Sequence, residues 1–155
     1  MAGNRDVPSA TLKSTMKSGA KKSSNVGKKL DTYMDPEFWY HKGVVLNKNE
    51  SALQSALKCY KQALKLNPAH TPSIFNLACN YEKNEEHAEA KAQFEQAIRV
   101  REDWPDAYYG LTLTCIKLNQ TREAVNAIEK AIHYTQGEIP TQILYVRALA
   151  YKVDL

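Results

Sequence analysis

The side chains able to do chemistry are sparse in this chain. His41, His70, His87 and His133, with Cys59, Cys79 and Cys115, are the residues that could ligate a transition metal. They show no metal-ligand spacing, either among the histidines or between histidine and cysteine, so no metal and no cofactor are expected. The acidic stretch EKNEEHAEA, Glu82 to Ala90, could offer paired carboxylates for proton transfer. It falls at an inter-helix turn and a helix start, where acids suit the helix dipole, and a solvated face is the expectation. The six glycines form no phosphate-cradling loop. Asn49-Glu50-Ser51 and Asn119-Gln120-Thr121 match glycosylation acceptors, chance matches in a chain expected to stay inside the cell. With no catalytic constellation, enzyme activity is not expected.

Composition narrows the class further. The chain has 155 residues, 43% apolar and 25% charged, which is ordinary for one modest globular domain with a tail. No apolar run approaches the roughly 20 residues of a membrane span, and the N-terminus lacks the apolar core of a secretory signal. A cytoplasmic location is expected, with a cytoskeletal or ciliary association as the alternative. The three cysteines are odd in number and widely spaced, which reads as reduced, mostly buried thiols.

Net charge is +4, but it is unevenly distributed. Residues 1–30 hold Arg5, Lys13, Lys17, Lys21, Lys22, Lys28 and Lys29 against Asp6, so the remainder is slightly acidic. That segment is rich in Ser, Lys, Gly and Thr with few large apolar residues, and it cannot offset its ordering entropy by burial. Residues 1–32 are therefore expected to be a disordered basic tail, and 33–155 the folded domain. A basic arm can hold a polyanion weakly, which gives a microtubule-surface or nucleic-acid adaptor as the alternative function. Aromatic residues, which reading of single strands requires, are absent before Tyr33, so nucleic acid is an unfavoured partner.

From Pro36 onward the pattern is all helical. Helices are expected over Phe38 to Asn47, from Ser51 with a capping box to Gln54, from Thr71 to about Asn84, and over Glu86 to Val100. Three more follow: from WPDAYYG to about Leu118, Thr121 to Tyr134, and Thr141 to Val153. One stripe then repeats at 34 residues: Ala56, Tyr60, Ala63, Leu64; Ala90, Phe94, Ala97, Ile98; Ala124, Ile128, Ala131, Ile132. A fixed period of this length marks stacked helix pairs, none of which buries its apolar face alone.

On these residues the chain resembles the tetratricopeptide repeat family. The first unit supplies Trp39, Gly43, Leu46, Ala56, Tyr60, Ala63 and Pro68, and the second Ile74, Leu77, Ala78, Tyr81, Ala90, Phe94 and Ala97. The third supplies Tyr108, Leu111, Thr112, Cys115, Ala124, Ile128 and Ala131, and Leu144, Ala148 and Tyr151 open a fourth. Lys42 and Arg147 stand where Leu is usual, and the first unit has one extra residue before Ala56. The resemblance implies a right-handed superhelix of stacked antiparallel helix pairs: three units plus the first helix of a fourth.

The same resemblance implies a concave wall built from first helices. Its matching residues are Tyr40 and Val44; Phe75, Asn76 and Cys79; Tyr109, Leu113 and Ile116; then Tyr145 and Leu149. That wall is aromatic and aliphatic, as for a scaffold gripping an apolar helix or extended segment of a partner protein. The family's carboxylate clamp for acidic chaperone tails needs Lys, Asn, Asn, Lys and Arg, where this chain has Tyr40, Val44, Asn76, Asp106 and Gly110. Such peptides are not expected to bind. The last helix is apolar nearly all round. Leu144, Ala148 and Tyr151 are expected to pack on the preceding pair, leaving Val146, Ala150 and Val153 for a second copy, another partner, or further sequence of a longer parent chain.

Overall fold

The computed structural model describes residues 30–137 and 139–152. The chain divides between Met34 and Asp35. Residues 30–33 are helical, so the helical region begins inside the segment assigned to the tail. The expected disorder of the remaining tail lies outside the described residues.

From Asp35 onward the protein is an all-helical, right-handed solenoid. Its helices are α1 (Pro36–Leu46), α2 (Leu53–Leu66), α3 (Thr71–Lys83), α4 (His87–Val100), α5 (Pro105–Lys117), α6 (Thr121–Tyr134) and α7 (Thr141–Lys152). Among the described residues no helix is long and apolar enough to cross a membrane. Proline sits in the first turn of α1, α3 and α5, where its missing N–H costs nothing. The pairs α1–α2, α3–α4 and α5–α6 stack in sequence, and α7 packs on α6.

The α1–α2 connection carries the extra residue of the first unit as a 3-10 turn, Glu50–Ala52. Its cap is Asn49 rather than the expected Ser51–Gln54 box. Asn49 Oδ1 accepts from the Ser51 N–H at 3.1 Å and the Ser51 hydroxyl at 2.8 Å, which commits the serine elsewhere. The next two intra-pair turns are alike. Glu85 (φ 61°) and Asn119 (φ 57°) take the left-handed conformation. Glu86 N–H then reaches the Tyr81 carbonyl at 2.9 Å, and Gln120 N–H the Cys115 carbonyl at 2.8 Å, closing helix ends that would otherwise expose bare carbonyls.

The repeated stripe is the core. Ala56, Ala63, Ala90, Ala97, Ala124 and Ala131 are fully buried around Tyr60, Phe94 and Ile128. Small residues let helices approach closely, and the large central residue fills the space between successive pairs. Polar links fix the register from outside. Lys91 of α4 reaches Gln120 (2.8 Å) and Glu123 across the next turn. His70 is buried before α3, with Nε2 donating to Glu37 Oε1 and Nδ1 accepting from the Ser73 hydroxyl, both at 2.8 Å. That histidine is a structural tie between α1 and α3, with both ring nitrogens satisfied.

The last helix is oriented differently from the expectation. Val146 (3% exposed) and Ala150 (0%), with Ile143, face inward in the cluster around Ile128 and Ala131. Leu144 (44%), Tyr145 (64%) and Tyr151 (46%) are open instead, and Val153 lies outside the described residues. The reason is the packing rule of the repeat. Ile74, Ala78 and Tyr81, and likewise Tyr108, Thr112 and Cys115, are covered because each first helix is followed by its own second helix. Among the described residues α7 has no such companion, so its matching residues are uncovered, and the face toward α6 is the one buried.

Glu85 is strained where glycine would not be, since a Cβ in the left-handed region costs about 1–2 kcal/mol. Glu85→Gly is expected to stabilise the fold by about 1 kcal/mol, raising the denaturant midpoint at unchanged m-value. A midpoint equal to or below that of the wild type would contradict this.

Candidate functional site

The first helices α3 and α5 enclose a groove of about 480 Å³ lined by Phe75, Cys79, Glu82, Phe94, Asp106, Tyr109, Gly110 and Leu113. The floor is aromatic. Phe75 meets Phe94 edge-on at 5.8 Å and lies 4.6 Å from the Trp104 ring. Phe94 belongs to α4, behind the wall, and reaches the floor because residue 110 is glycine. A Cβ on Gly110 would stand 2.4 Å from the Phe94 ring, so any side chain there forces the buried ring to move.

Of the groove residues read from the sequence, Phe75, Cys79, Tyr109 and Leu113 meet around this one cavity. Tyr40, Phe75 and Asn76 line an adjoining hollow of about 280 Å³ with Thr71, Pro72, Arg101 and Trp104. Tyr109 and Tyr145 line a third with Thr141 and Gln142. Val44 packs against the cluster around Tyr60, and Ile116 against that around Ile128. Of the wall residues read from the sequence, all but Tyr145 are half-buried, which is how a groove wall differs from a core; Tyr145 is exposed.

Phe94, Glu82 and Trp104 were not legible as groove residues. Phe94 carries the signature of a stacking residue and is also one. Its second role shows only in the glycine opposite it. Glu82 corrects the expectation of a solvated acidic face. It is on the last turn of α3, its side chain only 16% exposed. Lys117 Nζ donates to Oε2 at 2.7 Å, and Thr114 Oγ1 and His87 Nδ1 donate to Oε1 at 2.8 and 3.0 Å. The carboxylate thus joins α3, α5 and the start of α4 at one end of the groove.

Burial alone would push the Glu82 carboxyl up, but hydrogen bonds from Lys117, Thr114 and His87 outweigh it and hold it below its ordinary range. Burial pushes the Cys79 thiol up to about 11, so it is an uncharged, apolar part of the wall at neutral pH. Cys59, Cys79 and Cys115 are free thiols, two buried and Cys79 half-buried. Among the described residues no group of three histidine, cysteine or acidic side chains could hold a metal ion.

A family model for the tetratricopeptide repeat matches residues 36–70, 71–103 and 105–135. The chain belongs to the tetratricopeptide repeat family. Among curated proteins it resembles the Superkiller complex protein 3 of Mus musculus, 29% identical over 108 residues, which is 65% of this chain and 6% of that protein. Among solved structures, YrrB, described as a TPR protein with an unusual peptide-binding site, superposes with a TM-score of 0.70 at 21% identity, covering 88% of this chain and 66% of YrrB. The first TPR domain of Spaghetti (RPAP3), bound to the HSP90 peptide SRMEEVD, gives 0.70 at 16% identity, covering 78% and 94%. The TPR2B domain of yeast Sti1 in complex with an Hsp70 peptide gives 0.66 at 19%, covering 74% and 97%. At these identities the likeness is one of fold.

The Glu82 junction has a defined pH signature. Its folded pKa is depressed, so its contribution is complete above the ordinary carboxylate range and is lost as pH falls through the lower folded value. Glu82→Gln is expected to cost about 1 kcal/mol at neutral pH, and that deficit should shrink on acidification. Denaturant melts at neutral and acid pH measure it; a deficit constant with pH would show that the charge of Glu82 plays no part.

Proposed function

We propose that the protein is a non-enzymatic interaction scaffold whose tetratricopeptide groove holds an apolar helix or extended segment of a partner protein. The observation that carries this reading is the continuous strip formed by Phe75, Cys79, Tyr109 and Leu113 around a cavity floored by Phe94. Apolar side chains left half-buried around a concavity gain on burial about 25 cal/mol for each Å² covered. Peptides bound by solved relatives of the same fold support a role in protein recognition. Three free thiols fit a reducing compartment, and we place the scaffold in the cytoplasm.

The groove does not suit acidic chaperone tails. Tyr40 and Val44 bring no cation or amide, and Asp106 has the sign of the ligand. At residue 110 the Phe94 ring occupies the space a clamp arginine would need. A bound carboxylate would go uncompensated. Replacing Phe75 and Leu113 together by Glu should remove most partners recovered by proximity labelling while circular dichroism stays unchanged, and calorimetry with the HSP90 peptide SRMEEVD should show no micromolar binding. An unchanged partner list, or binding of that peptide lost on Asn76→Ala, would contradict the respective claim.

A second surface follows from the orientation of α7. Leu144, Ala148 and Tyr151 stand where the matching residues of α3 and α5 are covered by a second helix, and we propose that a second copy of the chain covers them. A two-fold pairing of like faces is the simplest closed arrangement. Arg147 and Tyr151 are steadied from below, both bonding to Glu129 (2.9 and 3.0 Å). Light scattering at tens of micromolar should give a dimer that Leu144→Glu converts to monomer; a wild-type monomer would sink the pairing.

A further inference from the structure

The two acids that line the groove are not equivalent. Glu82 is saturated by Lys117, Thr114 and His87, and its charge is balanced by the lysine. Asp106, in the first turn of α5, is exposed and makes no hydrogen bond or ion pair among the described residues. No lysine or arginine lines this cavity among the described residues. Arg101 lines only the adjoining hollow, where it pairs with Asp103 at 3.3 Å and lies 5.5 Å over the Trp104 ring. The groove therefore presents one uncompensated negative charge beside an apolar floor. Low-dielectric walls of Phe75, Phe94, Tyr109 and Leu113 concentrate the field of that carboxylate on whatever enters.

We infer that the groove selects a segment pairing an apolar anchor with a nearby lysine or arginine, and that Asp106 determines this specificity. The inference rests on the groove being the binding face, as proposed above. The anchor fills the cavity between Phe75, Tyr109 and Leu113, beside the point where the Phe94 ring packs against Gly110, and the cation reaches Asp106 at the rim. Charge complementarity at such a rim adds discrimination more than bulk affinity. An acidic segment of the same hydrophobicity meets the like charge of Asp106, so the ligand class is opposite in sign to the acidic peptide SRMEEVD bound by the HSP90-binding relative.

A randomised dodecapeptide display library panned on the full chain tests the inference, with wild type, Asp106→Lys, and the combined Phe75→Glu, Leu113→Glu variant in parallel. Wild-type pools should enrich an apolar residue with Lys or Arg within a few positions. Asp106→Lys should keep the apolar anchor and lose the basic preference. A synthetic wild-type-selected peptide should bind Asp106→Asn about fivefold more weakly at low salt, with the difference closing as salt rises. Unfolding midpoints matching the wild type confirm that each variant is folded; an Asp106→Lys variant that is not leaves the Asp106→Asn affinity to decide. Apolar motifs with neutral or acidic flanks in the wild-type pool would overturn the charge inference while leaving the groove standing. Equal enrichment on the Phe75→Glu, Leu113→Glu variant, or no enrichment on wild type, would overturn both.

Discussion

Every feature of the molecule depends on one packing constraint: a large side chain flanked by alanines one turn away on each side, placed in the middle of each second helix. Tyr60, Phe94 and Ile128 hold this position, and the alanines beside them are without exposed surface. The alanines set how near the neighbouring helices come, and the large residue sets what they must offer in return. Gly110 is the answer to Phe94, and Gly43 the answer to Tyr60, whose ring would be 2.6 Å from an added Cβ. Where the large residue is the shorter Ile128, the matching residue of α7 is Val146 and the two share one buried cluster. Stacking and groove are therefore one problem of volume: the ring that joins α4 to α5 also floors the cavity.

This coupling governs the chemistry available to the site. At residue 110 the family's clamp has an arginine, and here the volume needed for that side chain is already spent on Phe94. Cys79 stays protonated, Glu82 is consumed by the junction of α3, α4 and α5, and among the described residues Asp106 is left as the groove's free charge. A wall that is uncharged except at its rim recognises shape and apolar area first and charge second.

The sequence made the repeat legible because alanine, a large apolar residue and alanine recur at the same spacing, and the family matches over residues 36–70, 71–103 and 105–135 fall on the same three units. The helix start at Thr71 was readable from Pro72 behind it and that at Thr121 from the repeat of the apolar stripe, and the observed helices begin there. What failed did so for identifiable reasons. A helix apolar on nearly every side has no periodic face, so the inward side of α7 could not be chosen from its own residues; the packing of Val146 on the Ile128 cluster decided it. Glu82 sits in a run of acids that reads as solvated, and its three donors come from residues 5, 32 and 35 positions away, a convergence that local patterning does not contain. Phe94 could be assigned to the core, yet its place under the groove against Gly110 depends on two helices meeting.

The central claim is that the face between α3 and α5 is where a partner binds. Methyl-resolved NMR of the full chain, titrated with a peptide selected on the wild-type protein, tests it most directly. The account expects the Leu113 methyl resonances to move first and furthest, while those of Leu66 and Val100 on the outer helices and Leu144 on the open face of α7 stay in place. Shifts confined to Leu144 or to the outer helices, with Leu113 unmoved, would contradict it.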